Sequence, residues 1–189
     1  MGALRVNVSA AIAWVTLDRP DEGNPIDAML IDALSDTWQR LALDDTVKAV
    51  GLAASGPAFS VGVPAGCPPP NRAFGPKSCG YHAPVLVELE ADIASGAFPL
   101  IGEADVVLAT PDVQFTAPID AAARVDVARL RPRLAEPQLR RLALLGAAEP
   151  LTARRAEQLG VIDALVPAGE LRQRSLAILS VITHRALYG

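Results

Sequence analysis

A chain of 189 residues, 51% of them apolar, suits one domain with a buried core and excludes disorder as the main state. Seventeen basic residues against 21 acidic ones leave a net charge of −4, which excludes the broad basic field that duplex nucleic acid or an anionic membrane requires. Two cysteines, Cys67 and Cys79, exclude a disulfide framework, and with only His82 and His184 beside them a zinc site lacks a convincing ligand set. No secretory leader is read at the N-terminus, and the longest apolar runs, at 106–109 and 142–148, fall far short of the roughly 20 residues that span a bilayer. The expectation is a cytoplasmic protein without a membrane or nucleic-acid partner.

In chain order, residues 4–8 and 12–17 are β-branched apolar runs separated by Ser9-Ala10-Ala11, which predicts a hairpin or two adjacent strands. After the turn-forming segment 19–25, Ile26, Met29, Leu30, Leu34, Trp38 and Leu41 recur at spacings of three and four, predicting an amphipathic helix with Asn24 as its cap and Pro25 in its first turn. Residues 47–53 resume as a buried strand. A strand-helix-strand order implies a parallel pair, so the stretch 56–64 falls at the carboxyl edge of a strand, where ligands gather. The Pro/Gly-rich segment 67–80 is expected to be a mobile loop. Strands are predicted at 85–89, 106–109 and 113–116, with a turn at 92–97 leading into a short apolar helix over 98–103. Helices are predicted at 125–130, 138–145, 153–159 and 170–187, separated by Pro132, Pro137 and Pro150. The fold class is therefore α/β.

Four blocks of residues resemble the crotonase, or enoyl-CoA hydratase/isomerase, superfamily. Ala13-Trp14-Val15-Thr16-Leu17-Asp18-Arg19-Pro20 with Asn24-Pro25-Ile26-Asp27 is similar to its opening strand and turn. Residues 47–50 and Ala58-Phe59-Ser60-Val61-Gly62-Val63 resemble its V-[RK]-x-V and A-F-S-A-G-A blocks. Residues 84–105 align without a gap with its central segment, ending on Asp105, and 152–163 resemble its A-x-E-A-x-x-x-G-L-V-[DN] helix and strand. The resemblance implies a crotonase-like spiral of ββα units, C-terminally truncated, with a core over 1–145 and a short helical region over 146–189 of the same domain.

It also implies a chemistry, in which two backbone N–H groups polarise an acyl-CoA carbonyl and stabilise the enolate formed beside it. By position these are the amides of Val63 and Gly96, with Phe59, Val61, Gly62 and Val63 lying against the thioester. Coenzyme A enters as part of the substrate, and no permanently bound cofactor or metal is implied. The two glutamates that the family's hydratases use for proton transfer are replaced by Pro99 and Ile119. Asp120 is the nearest catalytic substitute for the second, and a solvent-facing loop aspartate is the competing reading; Glu103 follows one helical turn after the first. Glu103 and Asp105 otherwise read as structural, and His82 as a surface residue. The family's P-G-A-G-G-T loop is missing, and arginines 124, 129, 131 and 133 stand in its place, read either as a solvated or subunit-facing helix or as a grip on CoA phosphates. Three functions follow: an enoyl-CoA hydratase/isomerase, a catalytically silent homologue that binds acyl-CoA or partners an active subunit, and a decarboxylase or thioester hydrolase of a specialised pathway. The expected partners are an acyl-CoA and either copies of the chain in a trimer-based homo-oligomer or another crotonase-like subunit.

Overall fold

A computed structural model describes residues 2–67, 72–117 and 126–188. The predicted hairpin forms from β1 (Leu4–Ser9) and β2 (Ile12–Leu17), paired antiparallel. Its two-residue turn places Ala10 and Ala11 at φ 50° and 64°, the left-handed region that such turns demand. Helix α1 (Ala28–Ala42) then crosses to β3 (Ala49–Ala54), which pairs parallel with β2 as the strand-helix-strand order requires.

From β3 onward the chain alternates between two sheets. β4 (Ala58–Ser60) follows β3, β6 (Asp92–Ala94) follows β5 (Val85–Leu89), and β8 (Gln114–Thr116) follows β7 (Val106–Ala109). The first member of each couple joins a six-stranded sheet ordered β1-β2-β3-β5-β7-β10, and the second a four-stranded sheet ordered β4-β6-β8-β9. Short strands β9 (Leu151–Thr152) and β10 (Ala164–Leu165) complete the edges. This is the spiral of repeated units anticipated from the sequence.

Strand period decides which side chains meet. Val85, Val87 and Leu89 of β5 turn into the main core with Val50, Leu52, Val107 and Ala109. Leu86 and Leu108 turn to the opposite face, where with Ile12 and Ala49 they pack under Leu171 and Leu179 of the C-terminal helix. Both faces of the sheet's central strands are thus covered, which accounts for their unbroken apolar runs, while the edge strand β1 stays largely exposed. Helix α2 (Phe98–Gly102) follows β6, and α3 (Glu136–Leu145), α4 (Ala153–Gln158) and α5 (Ala168–Tyr188) complete the chain. None of the described helices is long and apolar enough to cross a membrane.

Several expectations are corrected. Helix α1 is capped by Asp27, whose carboxylate accepts the Leu30 N–H, and not by Asn24, which sits at φ 52° with its amide engaged elsewhere. Met29 faces solvent at 60% exposure and Ile31 takes the inward position in its place. The described part of the segment expected to be mobile, from residue 72 onward, is packed: Phe74 and Tyr81 are buried, Trp38 of α1 donates its Nε1–H to the Phe74 carbonyl at 2.9 Å, and the Tyr81 and Trp38 rings lie 5.8 Å apart. Two aromatics supply the burial that the Pro/Gly content concealed. The helix expected from residue 138 starts two residues earlier, at Glu136, so Pro137 lies in its first turn and not before it. The helix expected over 125–130 is a 3-10 turn, Ala128–Leu130, preceded by helical residues at 126–127.

Candidate functional site

The site is built where a β4 turn meets the start of α2. After Ser60 the chain leaves β4 and turns through Gly62 at φ +81° to Val63. This turn is held by the segment 23–26. The Val61 N–H donates to the Gly23 carbonyl at 2.9 Å, the Ile26 N–H donates to the Gly62 carbonyl at 2.8 Å, and the Gly62 N–H donates to Ser60 Oγ at 3.0 Å. Ser60 itself is buried and donates to the Asn24 carbonyl at 2.7 Å. Asn24 closes the arrangement, for its Nδ2 donates to the Ser55 and Ala58 carbonyls at 2.9 and 3.0 Å while its Oδ1 accepts the Arg19 N–H at 2.9 Å. The Arg19 guanidinium in turn grips both Asp27 oxygens at 2.9 and 2.7 Å. That pairing holds the Asp27 carboxyl below its ordinary range.

Opposite this turn, β6 pairs parallel with β4 and runs into a 3-10 turn, Ser95–Ala97, that continues as α2. The two backbones touch. A Cβ placed on Gly96 would lie 2.8 Å from the Val63 nitrogen and 3.1 Å from Gly62 Cα, so the close approach requires glycine here. A Cβ on Gly62 would lie 3.6 Å from the Gly96 nitrogen. The Val63 N–H has no hydrogen-bond partner among the described residues. Gly96 stands in a first helical turn, where no intrahelical carbonyl precedes it, and no side chain caps that turn. Among the described residues, two amides on adjoining segments thus have no acceptor in the chain.

Of the residues expected to line a thioester, Val61 is exposed at 54%, Gly62 and Val63 form the turn, and Phe59 is buried in the core. Pro99 lies buried in α2. Ile119, Asp120 and Arg124 lie outside the described residues, so the placement of the candidate base is not part of this geometry. Glu103 and Asp105 serve the packed segment. Glu103 Oε2 accepts from the Ser78 N–H and hydroxyl at 2.9 and 3.1 Å, and Asp105 Oδ2 accepts from the Val85 N–H and the Lys77 ammonium at 2.8 and 2.9 Å. His82 is exposed.

Arg133 is almost enclosed and donates to the Ala104 and Val161 carbonyls and to Asp163, while Arg131 and Arg141 pair with Glu136 and Glu149. These three guanidiniums are engaged within the chain. A cleft of about 580 Å³ between α3 and α4, lined by Leu134, Leu142, Leu151 and Leu159 together with Arg141, Glu149 and Arg155, includes neither Val63 nor Gly96. Ser60 and Glu88 carry no role of their own in the motifs that mark a site in the sequence. Each is a polar residue inside an apolar strand run, and that isolation was the available signal, since such a group is retained when it has a specific partner.

No family model and no curated protein sequence matches the chain. Solved structures do. The chain superposes with a TM-score of 0.85 on an enoyl-CoA hydratase/isomerase from Mycobacterium paratuberculosis, at 24% identity over 96% of this chain and 75% of that one. An enoyl-CoA hydratase from Mycobacterium smegmatis gives a TM-score of 0.82 at 23% identity, over 96% and 77% of the two chains. A monofunctional enoyl-CoA isomerase from M. smegmatis gives 0.80 at 21% identity, over 97% and 86%. The chain has the crotonase fold that these structures share.

Proposed function

We propose that this chain binds an acyl-CoA thioester and polarises its carbonyl with the N–H groups of Val63 and Gly96. The observation that carries the reading is the contact between the Gly62–Val63 and Gly96 backbones, with neither amide donating to an acceptor among the described residues. Its support from outside the chain is the fold held in common with structures named as enoyl-CoA hydratases and isomerases. Two main-chain donors set on adjoining turns meet a carbonyl oxygen without reorganising, and they bond more strongly as charge develops there; removal of one such donor costs on the order of 10²-fold in rate.

Proton transfer is the weaker half of the machinery. Pro99 carries no proton, and Glu103 and Asp105 are held by Ser78, Lys77 and Val85. Asp120 is the base that a hydratase or isomerase activity would use. The same absence of paired carboxylates at Pro99 and Ile119 favours a second reading, a silent binder of acyl-CoA that partners an active subunit; decarboxylation or thioester hydrolysis, which require only oxyanion stabilisation, is the third. Assembly with its own copies or with another crotonase-like chain, in the cytoplasm, accompanies all three.

Calorimetry with butyryl-CoA and CoA, beside turnover of crotonyl-CoA and a 3-enoyl-CoA followed by thioester absorbance, separates the first two. Binding with turnover that Asp120→Asn abolishes is the enzyme outcome, and binding without turnover is the silent one. Gly96→Ala, whose methyl would enter the space at the Val63 nitrogen, is expected to weaken butyryl-CoA binding at least about 10-fold. Absence of binding by the wild-type protein overturns the proposal.

A further inference from the structure

We infer that Ser60 and Asn24 are positioning residues that aim the Val63 N–H at its acceptor; the inference rests on the reading of Val63 as an oxyanion donor and adds the device that orients it. Around this turn the main-chain polar groups are taken up in sequence. The Val61 N–H goes to Gly23, the Gly62 N–H to Ser60 Oγ, and the Gly62 carbonyl to the Ile26 N–H, so the peptide that ends in the Val63 nitrogen is fixed through its own oxygen. A peptide unit is planar, and fixing the Gly62 carbonyl therefore fixes the direction of the Val63 N–H, which lies trans to it. The Ile26 donor is itself anchored, because Asn24 two residues earlier is tied through its side chain to Arg19, Ser55 and Ala58 and through its carbonyl to Ser60.

The Ser60 hydroxyl is the hinge of this arrangement. It is buried, and its one oxygen both donates to segment 23–26 and accepts from the turn. Without it the Gly62 N–H loses its acceptor, and a glycine at φ +81° regains the backbone freedom that the hydroxyl removes. The adjoining amide then samples several directions, and an oxyanion donor that samples directions loses the preorganisation from which its effect derives.

The test uses the 15N-labelled full chain. In Ser60→Ala the residual dipolar coupling of the Val63 N–H is expected to change and its resonance to broaden, while amides of β2, β3 and β5 keep theirs. Thr183→Ala removes another buried hydroxyl, on α5, and is expected to leave Val63 untouched, which separates positioning from a general loss of stability. Asn24→Gly keeps the left-handed backbone but frees the Ser55 and Ala58 carbonyls, and is expected to disturb the same amide should Ser60→Ala fail to fold. A bound cinnamoyl-CoA, whose absorption moves to the red as its carbonyl is polarised, is expected to lose about half of that shift in Ser60→Ala. Unchanged Val63 couplings in the folded variants, or a full red shift despite altered couplings, overturn the inference. A wild-type protein that binds without a red shift overturns the oxyanion reading instead, and the dipolar couplings still decide whether Ser60 positions the amide.

Discussion

At residue scale, Ala10 and Ala11 occupy the two left-handed positions of a tight hairpin turn that glycine and asparagine fill at lower cost. A Cβ in that region meets its own main-chain carbonyl, a penalty of about 1 kcal/mol per residue. Ala11→Gly removes the clash at φ 64° and also loosens the unfolded chain, so the expected gain is about 0.5 kcal/mol, read as a higher urea midpoint at unchanged slope. Asp27 carries a larger effect. It caps α1 through the Leu30 N–H and receives Arg19 through both oxygens, and that pairing lowers its pKa. A carboxyl whose pKa is lower in the folded state stabilises the fold above its unfolded value, near about 3.9, and loses that contribution as pH falls through the folded value. Asp27→Asn keeps an acceptor for the cap but not the ion pair, so a loss of about 1–2 kcal/mol is expected at pH 7, measured by urea denaturation. The difference from wild type should close as the pH is lowered below the ordinary aspartate range.

At the scale of elements, the join between α5 and the six-stranded sheet contains a buried charge. Glu88 lies on the β5 face that carries Leu86, is 3% exposed, and receives Arg172 at 2.9 Å, whose guanidinium stacks 3.6 Å from the centre of the Trp14 ring. Removal from water raises the Glu88 pKa more than the neighbouring Ser175 hydroxyl and Arg172 lower it, and among the described residues neither Glu88 Oε1 nor Ser175 Oγ, both buried, makes a hydrogen bond of full geometry. A carboxyl with a raised folded pKa favours the fold below its unfolded value and opposes it as pH rises through the folded one. Glu88→Gln carries no charge and offers an amide donor to Ser175, while the half-exposed Arg172 can return to water. The variant should therefore match or exceed wild-type stability by about 1 kcal/mol at pH 7.5, and the margin should shrink toward pH 4.5 in the same denaturation series.

Elements with a single clear period were legible in the sequence: the β1–β2 hairpin, the α1 stripe and the runs of β3, β5 and β7. The packing of residues 72–83 was not, because it depends on Trp38 of α1 meeting Phe74 and Tyr81 across a stretch whose local composition favours irregular chain. Asparagine before proline satisfies the local rule for a cap of α1, and only the contacts of Asn24 with Ser55 and Ala58 show that its amide is used at longer range. At the site, no periodicity brings residue 63 to residue 96. Their proximity follows from β4 pairing with β6, to which only the family resemblance points, and no sequence pattern places the Ser60 hydroxyl between the turns.

At the scale of the whole molecule, two cores share one sheet. The larger lies between the six-stranded sheet, α1 and the four-stranded sheet, and the smaller consists of Ile12, Ala49, Leu86, Leu108 and Val166 under Leu171 and Leu179. Among the described residues the second core is covered by α5, as a parallel sheet flanked by helices requires of that face. A chain ended after Pro167 would keep every strand and every residue of the proposed site, yet it would return those five side chains to water and lose the burial of Leu171 and Leu179. At about 1.5–3 kcal/mol for each fully buried large apolar side chain, the loss is comparable with the roughly 5–15 kcal/mol that holds an ordinary domain together. Such a chain is expected to lose its near-ultraviolet circular dichroism and to bind a hydrophobic dye at 25 °C, and to lose acyl-CoA binding as a consequence of unfolding. A cooperative thermal transition within a few degrees of the full chain would show instead that the larger core folds without its cover.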